Sequence, residues 1–368
     1  GADRGGHAPA GRVSPRRRLA VGSGLVVAGV AAVEIFARMR TPSLCRESSG
    51  DPWLVREAET ILRRSRGPRD RASIAVIDNG VLREAHFGAG RHTQYEIGSI
   101  TKTMTAAVFA DMLERGEISR RTPLGTFFDL ASSEVAAIEL EELATHTSGL
   151  PNMASTCRNV ADLALWPLLV HDPSSSVTLE RLIADASRSR LGPREYAYSN
   201  LGYSLLGQAL ARRAGTSFPR LLQERLFVPL GMDDTFVPTD PTSLGIDAPR
   251  GYSVMWGRRS APWTLGAEAP SGSVRSTLAD MTRYLQALLD ATAPGTAAMD
   301  QAIVARDGLR IGYGWHIDQN SLVWHNGMIG GFSSWISLQP GRGQGVIVLS
   351  NTMNSVDDLG MALARSLP

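Results

Sequence analysis

Strand-like segments occur near both ends of the sequence, and helical segments fill the middle. Residues 73–87 predict a hairpin, because two apolar runs flank the turn-forming pair Asn79-Gly80. Near the C-terminus, four short Gly-bounded segments are rich in Val, Ile and Trp: 312–318, 321–326, 333–338 and 345–350. This order predicts the α+β fold class, with one antiparallel sheet built from both chain ends and flanked by helices, and a mostly helical insertion.

Helical spacing of apolar residues marks five further segments. They are 53–64, 100–112, 178–186, 201–214 and 355–366. A stretch rich in Pro, Ser and Gly at 41–51 is interpreted as a linker. Residues 1–50 are predicted to form a leader that contains an apolar segment at 19–33 and the linker. Residues 51–368 are predicted to form the main domain. Its α/β part comprises about 51–115 and 271–368, and its helical part comprises about 116–270.

The leader holds the excess positive charge of the chain. Its eight Arg and three acidic residues give a net charge of +5, which leaves −3 for residues 51–368 under the formal total of +2. Because the main domain lacks a basic surplus, no nucleic-acid partner is expected.

Three consecutive Arg residues in the leader precede the uncharged, largely apolar run 19–33. A basic stretch before an apolar run of this length is typical of an export signal. An uncleaved membrane anchor is one alternative, and a cytoplasmic protein with a buried apolar helix is the other. The sequence therefore predicts a protein that is exported, or anchored by membrane contact through residues 19–33 and facing outside the cytoplasm.

Lys102 is the sole lysine among the 38 basic residues, and all the others are Arg. An amine can lose its proton and act as a base, whereas a guanidinium cannot. Ser99 lies three residues earlier at the start of a predicted helix, so the two side chains share one face. A serine hydroxyl becomes a nucleophile when a neighbouring base takes its proton, and burial at a helix N-terminus favours the neutral amine. The pair is predicted to be nucleophile and base; the alternative is a helix-capping serine with a solvent-facing lysine.

Two further motifs add polar groups of the kinds that acyl chemistry needs. Tyr198 and Asn200, two residues apart in a predicted extended loop, point the same way and could pass a proton and hold a carbonyl. The motif His325-Asn326-Gly327 ends a predicted strand, where glycine lets a substrate backbone lie against the strand edge. The N–H that follows it can donate to a developing oxyanion. Each motif alone is a weak signal.

In this order and spacing, the three motifs resemble the serine β-lactamase and penicillin-binding-protein superfamily, and within it the class C β-lactamase-related group, which includes DD-carboxypeptidases, esterases, D-aminopeptidases and transacylases. The segments 145–151, 271–277 and 312–315 are similar to that group as well, and the resemblance covers about residues 53–368. It implies the β-lactamase/transpeptidase-like fold and a serine acyl hydrolase or acyltransferase that forms a covalent acyl-Ser99 intermediate on an ester or amide.

The resemblance also implies a role for each motif residue. Ser99 would be acylated, Lys102 would be its base, and Tyr198 would relay protons to the leaving group and from the acceptor. The implied substrate-binding residues are Asn200, His325, Asn326 and Gly327, and the implied oxyanion hole is formed by the backbone N–H groups of Ser99 and Met328. Many β-lactamases have Lys-Thr-Gly or Lys-Ser-Gly where this chain has His-Asn-Gly, which weakens recognition of a substrate carboxylate and argues against true β-lactamase activity.

The sequence leaves the substrate open. The expected partners are a small-molecule or peptide acyl donor, with water, an amine or an alcohol as acceptor, and export would favour a cell-wall peptide. Trp166, Trp256 and Trp263, from the helical part, are candidates for the acyl pocket. No metal or other cofactor is expected, because the seven His residues show no zinc-site spacing and no phosphate-binding glycine loop is present. The alternative function is a non-catalytic, penicillin-binding-like binding or sensing module, which the intact serine, lysine and tyrosine disfavour.

Overall fold

The computed structural model describes residues 42–65, 67–130, 133–153, 171–243, 248–253, 257–300, 302–305 and 308–367. The apolar segment 19–33, Trp166 and Trp256 therefore lie outside the described residues. Over the described ranges, no helix is long and apolar enough to cross a membrane.

A nine-stranded antiparallel sheet forms the centre of the fold, in the order β1-β3-β2-β11-β10-β9-β8-β7-β6. Its strands are β1 (Ser48–Gly50), β2 (Ala72–Asp78), β3 (Val81–Phe87), β6 (Ile303–Val304), β7 (Arg310–Ile311), β8 (His316–Ile317), β9 (Val323–Ile329), β10 (Phe332–Gln339) and β11 (Gln344–Ser350). A second, two-stranded sheet pairs β4 (Gln94–Glu96) with β5 (Arg275–Thr277). Strands from both chain ends thus meet in one sheet, because β2 pairs with β11, and the predicted fold class is confirmed.

The helices flank this sheet or lie between its two halves in the chain. Within the described residues, the α-helices are α1 (Pro52–Arg64), α2 (Thr101–Glu114), α3 (Leu140–Ala144), α4 (Leu179–Ser187), α5 (Asn200–Arg213), α6 (Phe218–Leu222), α7 (Leu278–Leu289) and α8 (Asp357–Ser366). Each of the five helical segments predicted from spacing corresponds to one of these helices, with ends that differ by a few residues.

The sheet separates two hydrophobic cores. Along β2, Ile74 and Val76 pack into a core with α1 and α8, while Ala75 and Ile77 pack into the larger core on the other face. Successive side chains of a strand point to opposite faces, so a strand covered on both sides is apolar at every position. The larger core holds α2, which is buried on all sides from Thr101 to Met112, and this helix carries the lysine into the interior.

Several predicted boundaries need correction. The stretch interpreted as a linker contributes β1, which pairs with β3 through Ser48–Gly50, so the linker prediction is wrong there. The segment 312–318 contributes a strand only at His316–Ile317, because Gly314 adopts a left-handed φ of 69° and bends the chain. The hairpin turn is confirmed, with positive φ at Asn79 and Gly80 of 49° and 80°, as a type I′ turn requires.

Candidate active site

Ser99 lies in a single 3₁₀ turn, Gly98–Ile100, that leads directly into α2. The Nζ atom of Lys102 is 3.1 Å from the Ser99 Oγ atom, and Lys102 is completely buried. Ser99 itself is half-buried and lines a cavity. The helix thus brings the only lysine of the chain into hydrogen-bond contact with this serine, and the alternative of a solvent-facing lysine is wrong.

The amine of Lys102 has three hydrogen-bond partners, all uncharged, and no described carboxylate partner. Besides Ser99 Oγ, they are Asn200 Oδ1 at 2.7 Å and the backbone oxygen of Ser271 at 2.5 Å. Burial lowers the pKa of Lys102 well below its usual value, with no opposing charge to restore it. A neutral amine donates to the two carbonyl oxygens and keeps its lone pair for the Ser99 hydroxyl proton, so this arrangement suits a base.

Tyr198 stands over the same pair of residues. Lys102 Nζ lies 4.9 Å from the centre of its ring, and its hydroxyl interacts with the side chain of Ser99. Burial raises the pKa of Tyr198, which keeps the phenol protonated at neutral pH. The structure therefore brings together Ser99, Lys102 and Tyr198, with one neutral hydroxyl available as a proton relay.

The ring of His146 packs against the ring of Tyr198. The sequence analysis did not single out His146. Its ring lies 4.5 Å from the ring of Tyr198 and 4.8 Å from that of Tyr203. The backbone N–H of Ser199 donates to His146 Nδ1 at 3.0 Å, which fixes the loop between the tyrosine and Asn200. His146 has a left-handed φ of 58°, a tertiary feature that no sequence pattern indicates, although it lies in a segment noted for its resemblance to the family.

Asn200, the first residue of α5, is also held from both sides. Its Oδ1 accepts from Lys102, and its Nδ2 donates to Asn152 Oδ1 at 2.9 Å. This fixes the orientation of the amide, with the oxygen towards the lysine. Asn152 is a second residue that the sequence analysis missed, and it lines the same cavity as Asn200.

The backbone of β9 approaches the Ser99 turn closely. A Cβ atom on Gly98, which has a left-handed φ of 52°, would come within 2.8 Å of the Met328 nitrogen, and one on Gly327 would collide with the backbone oxygen of Ile97. Glycine at both positions lets the turn and the strand touch. The backbone nitrogens of Ser99 and Met328 are thereby placed on neighbouring segments, the arrangement that an oxyanion hole needs.

His325 is buried near Tyr198, with 6.2 Å between ring centres. Its Nδ1 is 2.6 Å from the Asn326 backbone oxygen; since a carbonyl only accepts, Nδ1 carries the proton. Nε2 then has a free lone pair, and it has no hydrogen-bond partner among the described residues. Burial, His316 and Lys102 lower the pKa of His325 well below its usual value, so this position supplies a neutral acceptor.

The side chain of Asn326 is not among the groups that the structure brings together. Its Nδ2 donates to Asp357 of α8 at 2.7 Å, on the opposite side of β9 from the active site. The side chains of His325 and Asn326 alternate across the strand, as successive residues do. The predicted substrate-binding role of the Asn326 side chain is therefore contradicted by its placement.

A cavity of about 230 Å³ opens beside Ser99. Its walls are mostly apolar and include the predicted Trp263, together with Met328 and Ile329 from β9. Asn200 contributes its amide, and Glu268, another residue that the sequence analysis missed, contributes a carboxylate. A small apolar pocket with a few polar groups next to a nucleophile is typical of a substrate site. Among the described residues, no group of three His, Cys, Asp or Glu side chains could hold a metal ion.

Comparison with known proteins identifies the family of the chain. The beta-lactamase family model matches residues 62–367. A beta-lactamase from Pseudomonas fluorescens is 25% identical, over 76% of this chain and 87% of its own length. The D-alanyl-D-alanine-carboxypeptidase/endopeptidase AmpH of Escherichia coli is 30% identical, over 52% of this chain and 48% of its own length.

The solved structures agree with this result. The octameric penicillin-binding protein homologue from Pyrococcus abyssi superimposes with a TM-score of 0.72 at 25% identity, covering 84% of this chain and 76% of its own. These relatives support a serine acyl hydrolase or acyltransferase in general and leave the substrate undetermined. The chain belongs to the beta-lactamase family, within the superfamily of serine β-lactamases and penicillin-binding proteins.

Proposed function

We propose that the protein is a serine hydrolase or acyltransferase of the class C β-lactamase-related type, which acts on an ester or amide through a covalent acyl-Ser99 intermediate. The observation that carries this proposal is the 3.1 Å contact between Ser99 Oγ and a buried lysine without a carboxylate partner. Such a lysine can accept the serine proton at neutral pH.

The placement of the groups supports the following first half of the reaction. Lys102 takes the proton of Ser99 as Oγ attacks the carbonyl carbon of the donor, and the oxyanion accepts hydrogen bonds from the N–H groups of Ser99 and Met328. When the tetrahedral intermediate collapses, the proton passes from Lys102 through the Tyr198 hydroxyl to the leaving oxygen or nitrogen.

The second half reverses these transfers. Water, an amine or an alcohol loses its proton through Tyr198 to Lys102 and attacks the acyl carbon, and Ser99 leaves with a proton. Asn200 holds the amine of Lys102 in place through both halves and presents its amide to the cavity.

The charges around the cavity favour some classes of acyl donor over others. His325 is neutral and offers an acceptor, and the described lining residues include no Lys or Arg. A donor that depends on a free carboxylate, as penicillins and C-terminal peptides do, has no described cation to pair with it. We therefore favour esters, or amides whose leaving group lacks a carboxylate, over β-lactams.

The test is the mass of the intact protein after mixing with activated esters, D-Ala-D-Ala peptides and penicillins. We expect a mass gain from esters that disappears in Ser99→Ala and persists in the control Ser119→Ala, an exposed serine. Absence of both adduct and product with every donor would contradict the proposal and favour the binding-module alternative. Labelling by penicillins alone would overturn the proposed donor preference.

We also propose export, or anchoring outside the cytoplasm, on the charge and apolar pattern of the leader alone. Cell fractionation tests this directly. Recovery of the full-length protein in the soluble cytoplasmic fraction would contradict it and would favour biosynthetic acyl transfer over action on a cell-wall peptide.

A further inference from the structure

The cavity beside Ser99 has one ionisable group among its described lining residues, the carboxyl group of Glu268. All the other described lining side chains are apolar, amide or hydroxyl groups. The mechanism proposed above does not use this carboxyl group. A lone acid in an apolar pocket next to a nucleophile needs a reason, because its burial costs free energy unless something compensates it.

Glu268 lies close to the reacting groups along the chain. It belongs to the 3₁₀ helix Gly266–Ser271, in which residues three apart share one face. Ser271, one turn later, provides the backbone oxygen that accepts from Lys102. The backbone of Glu268 is therefore about 6 Å from the backbone of Ser271 along the helix axis. Both residues line the cavity.

The carboxyl group has no basic partner among the described residues. Burial raises the pKa of Glu268, the hydroxyl of Ser174 lowers it through a hydrogen bond, and the negative charges of Asp172 and Asp185 raise it further. Ser174 lines the same cavity as Glu268, so both side chains of this interaction belong to the pocket wall.

The neighbouring acids are used by the fold. Asp172 Oδ2 accepts hydrogen bonds from the backbone of Thr264 and Leu265 at 2.7 and 2.9 Å. Asp185 pairs with Arg181 at 2.8 Å, within α4. Glu268 differs from both in lining the cavity, and no described cation pairs with its carboxyl group.

We propose that Glu268 makes the cavity select acyl donors that carry a protonated amine. This inference rests on the proposed function, since it takes the cavity as the acyl pocket. The apolar walls bind the carbon chain of the acyl group, the ester or amide carbonyl lies at Ser99, and the ammonium group pairs with the Glu268 carboxylate. An acyl group that ends in a carboxylate would be repelled from the same pocket.

The test compares pairs of phenyl esters that have the same number of chain atoms and differ only in the terminal group. The glycyl ester is compared with the propanoyl ester, the 4-aminobutanoyl ester with the pentanoyl ester, and the 6-aminohexanoyl ester with the heptanoyl ester. A charged hydrogen bond in a desolvated pocket contributes enough for a preference of about 10- to 100-fold. We expect kcat/KM of the wild type to favour the amine by that factor for at least one chain length.

Glu268→Gln keeps the size of the side chain and a hydrogen-bonding partner for Ser174, and we expect it to reduce the amine-to-alkyl ratio to about one. The control Glu57→Gln, on the exposed side of α1, should keep the wild-type ratio. If Glu268→Gln does not fold, competitive inhibition of the wild type by 6-aminohexan-1-ol against heptan-1-ol replaces it, with the amine expected to bind more tightly.

Two failures are distinguishable. If the heptanoyl ester labels Ser99 but no chain length shows an amine preference, or Glu268→Gln keeps the preference, the selection by Glu268 is wrong and the proposed function stands. If none of the esters labels Ser99 or is turned over, the proposed function itself fails.

Discussion

Two fully buried cations, Lys102 and Arg275, are stabilised in opposite ways. Arg275 pairs with Glu96 across β4 and β5 at 2.7 Å, and both side chains are at most 1% exposed. Lys102 has only neutral acceptors, and burial alone lowers its pKa. With its carboxylate partner, Arg275 keeps its charge and ties two strands together, whereas the amine of Lys102, without one, gives up its proton and can act as a base.

The comparison also accounts for the residue type at each position. Arginine is well suited to position 275, because a guanidinium stays charged and forms a directional pair with a carboxylate. The same side chain at position 102 could not act as a base. This is a physical reason for a chain with 38 basic residues to have its one lysine at this position.

The largest expected effect comes from removing the base while keeping a cation. Lys102→Arg should lower the rate of Ser99 acylation by about 10³-fold, because a guanidinium cannot take the serine proton. Single-turnover labelling with an activated ester measures this, and thermal unfolding checks that the variant is folded. Lys102→Met serves if arginine does not fit, and a rate within a few-fold of the wild type in either folded variant would contradict the role as base.

The matching change at the other cation should affect stability instead of chemistry. Arg275→Met leaves Glu96 buried without its partner and should reduce the free energy of unfolding by about 3–5 kcal/mol. The double variant with Glu96→Gln should recover most of this loss. Urea unfolding measures both, and the comparison fails if Arg275→Met keeps full stability, or if the folded variant loses acylation as severely as Lys102→Arg.

Removal of the Tyr198 hydroxyl, the proposed proton relay, should have an intermediate effect on turnover. Tyr198→Phe keeps the ring beside Lys102 but deletes the hydroxyl that interacts with Ser99, and we expect turnover to slow by about 10²-fold. Pre-steady-state kinetics separate acylation from deacylation in this variant. An unchanged rate in both steps would remove the tyrosine from the mechanism.

The smallest effect is expected for His146, which positions the loop that carries Tyr198. His146→Ala removes the acceptor for the Ser199 N–H and should lower kcat about fivefold, as one buried hydrogen bond is worth about 1 kcal/mol. His146→Asn should restore most of the activity, because the amide oxygen can replace Nδ1 and asparagine tolerates the left-handed backbone. If alanine and asparagine reduce kcat equally, the Ser199 hydrogen bond has no part in positioning.

Features with a clear local pattern could be predicted from the sequence. The β2–β3 hairpin follows from its Asn-Gly turn, and α2 follows from apolar residues at helical spacing. The contact between Ser99 and Lys102 needs only that helix, since residues three apart share a face. The opposite orientation of Asn326 could also have been predicted, because alternation along β9 separates it from His325.

Other features depend on segments that are distant in the chain. The strands β1, β4 and β5 have three residues each, too few to show a period of two. The roles of His146 and Asn152 arise from contacts with residues about 50 positions away. The carboxyl group of Glu268 differs from exposed acids only because residues of α5, the strand β9 and the segments around Asn152 and Ser174 line the cavity with it, which no local pattern indicates.

The pH dependence of Ser99 acylation tests the central claim most directly. The base must be deprotonated, so the rate rises with pH through the pKa of Lys102 in the free enzyme. Because burial lowers that pKa well below 10.5, we predict that the labelling rate by a neutral activated ester reaches its plateau far below pH 10.5. A rate that continues to rise tenfold per pH unit up to pH 10 would show that the lysine keeps its proton, and would contradict the account.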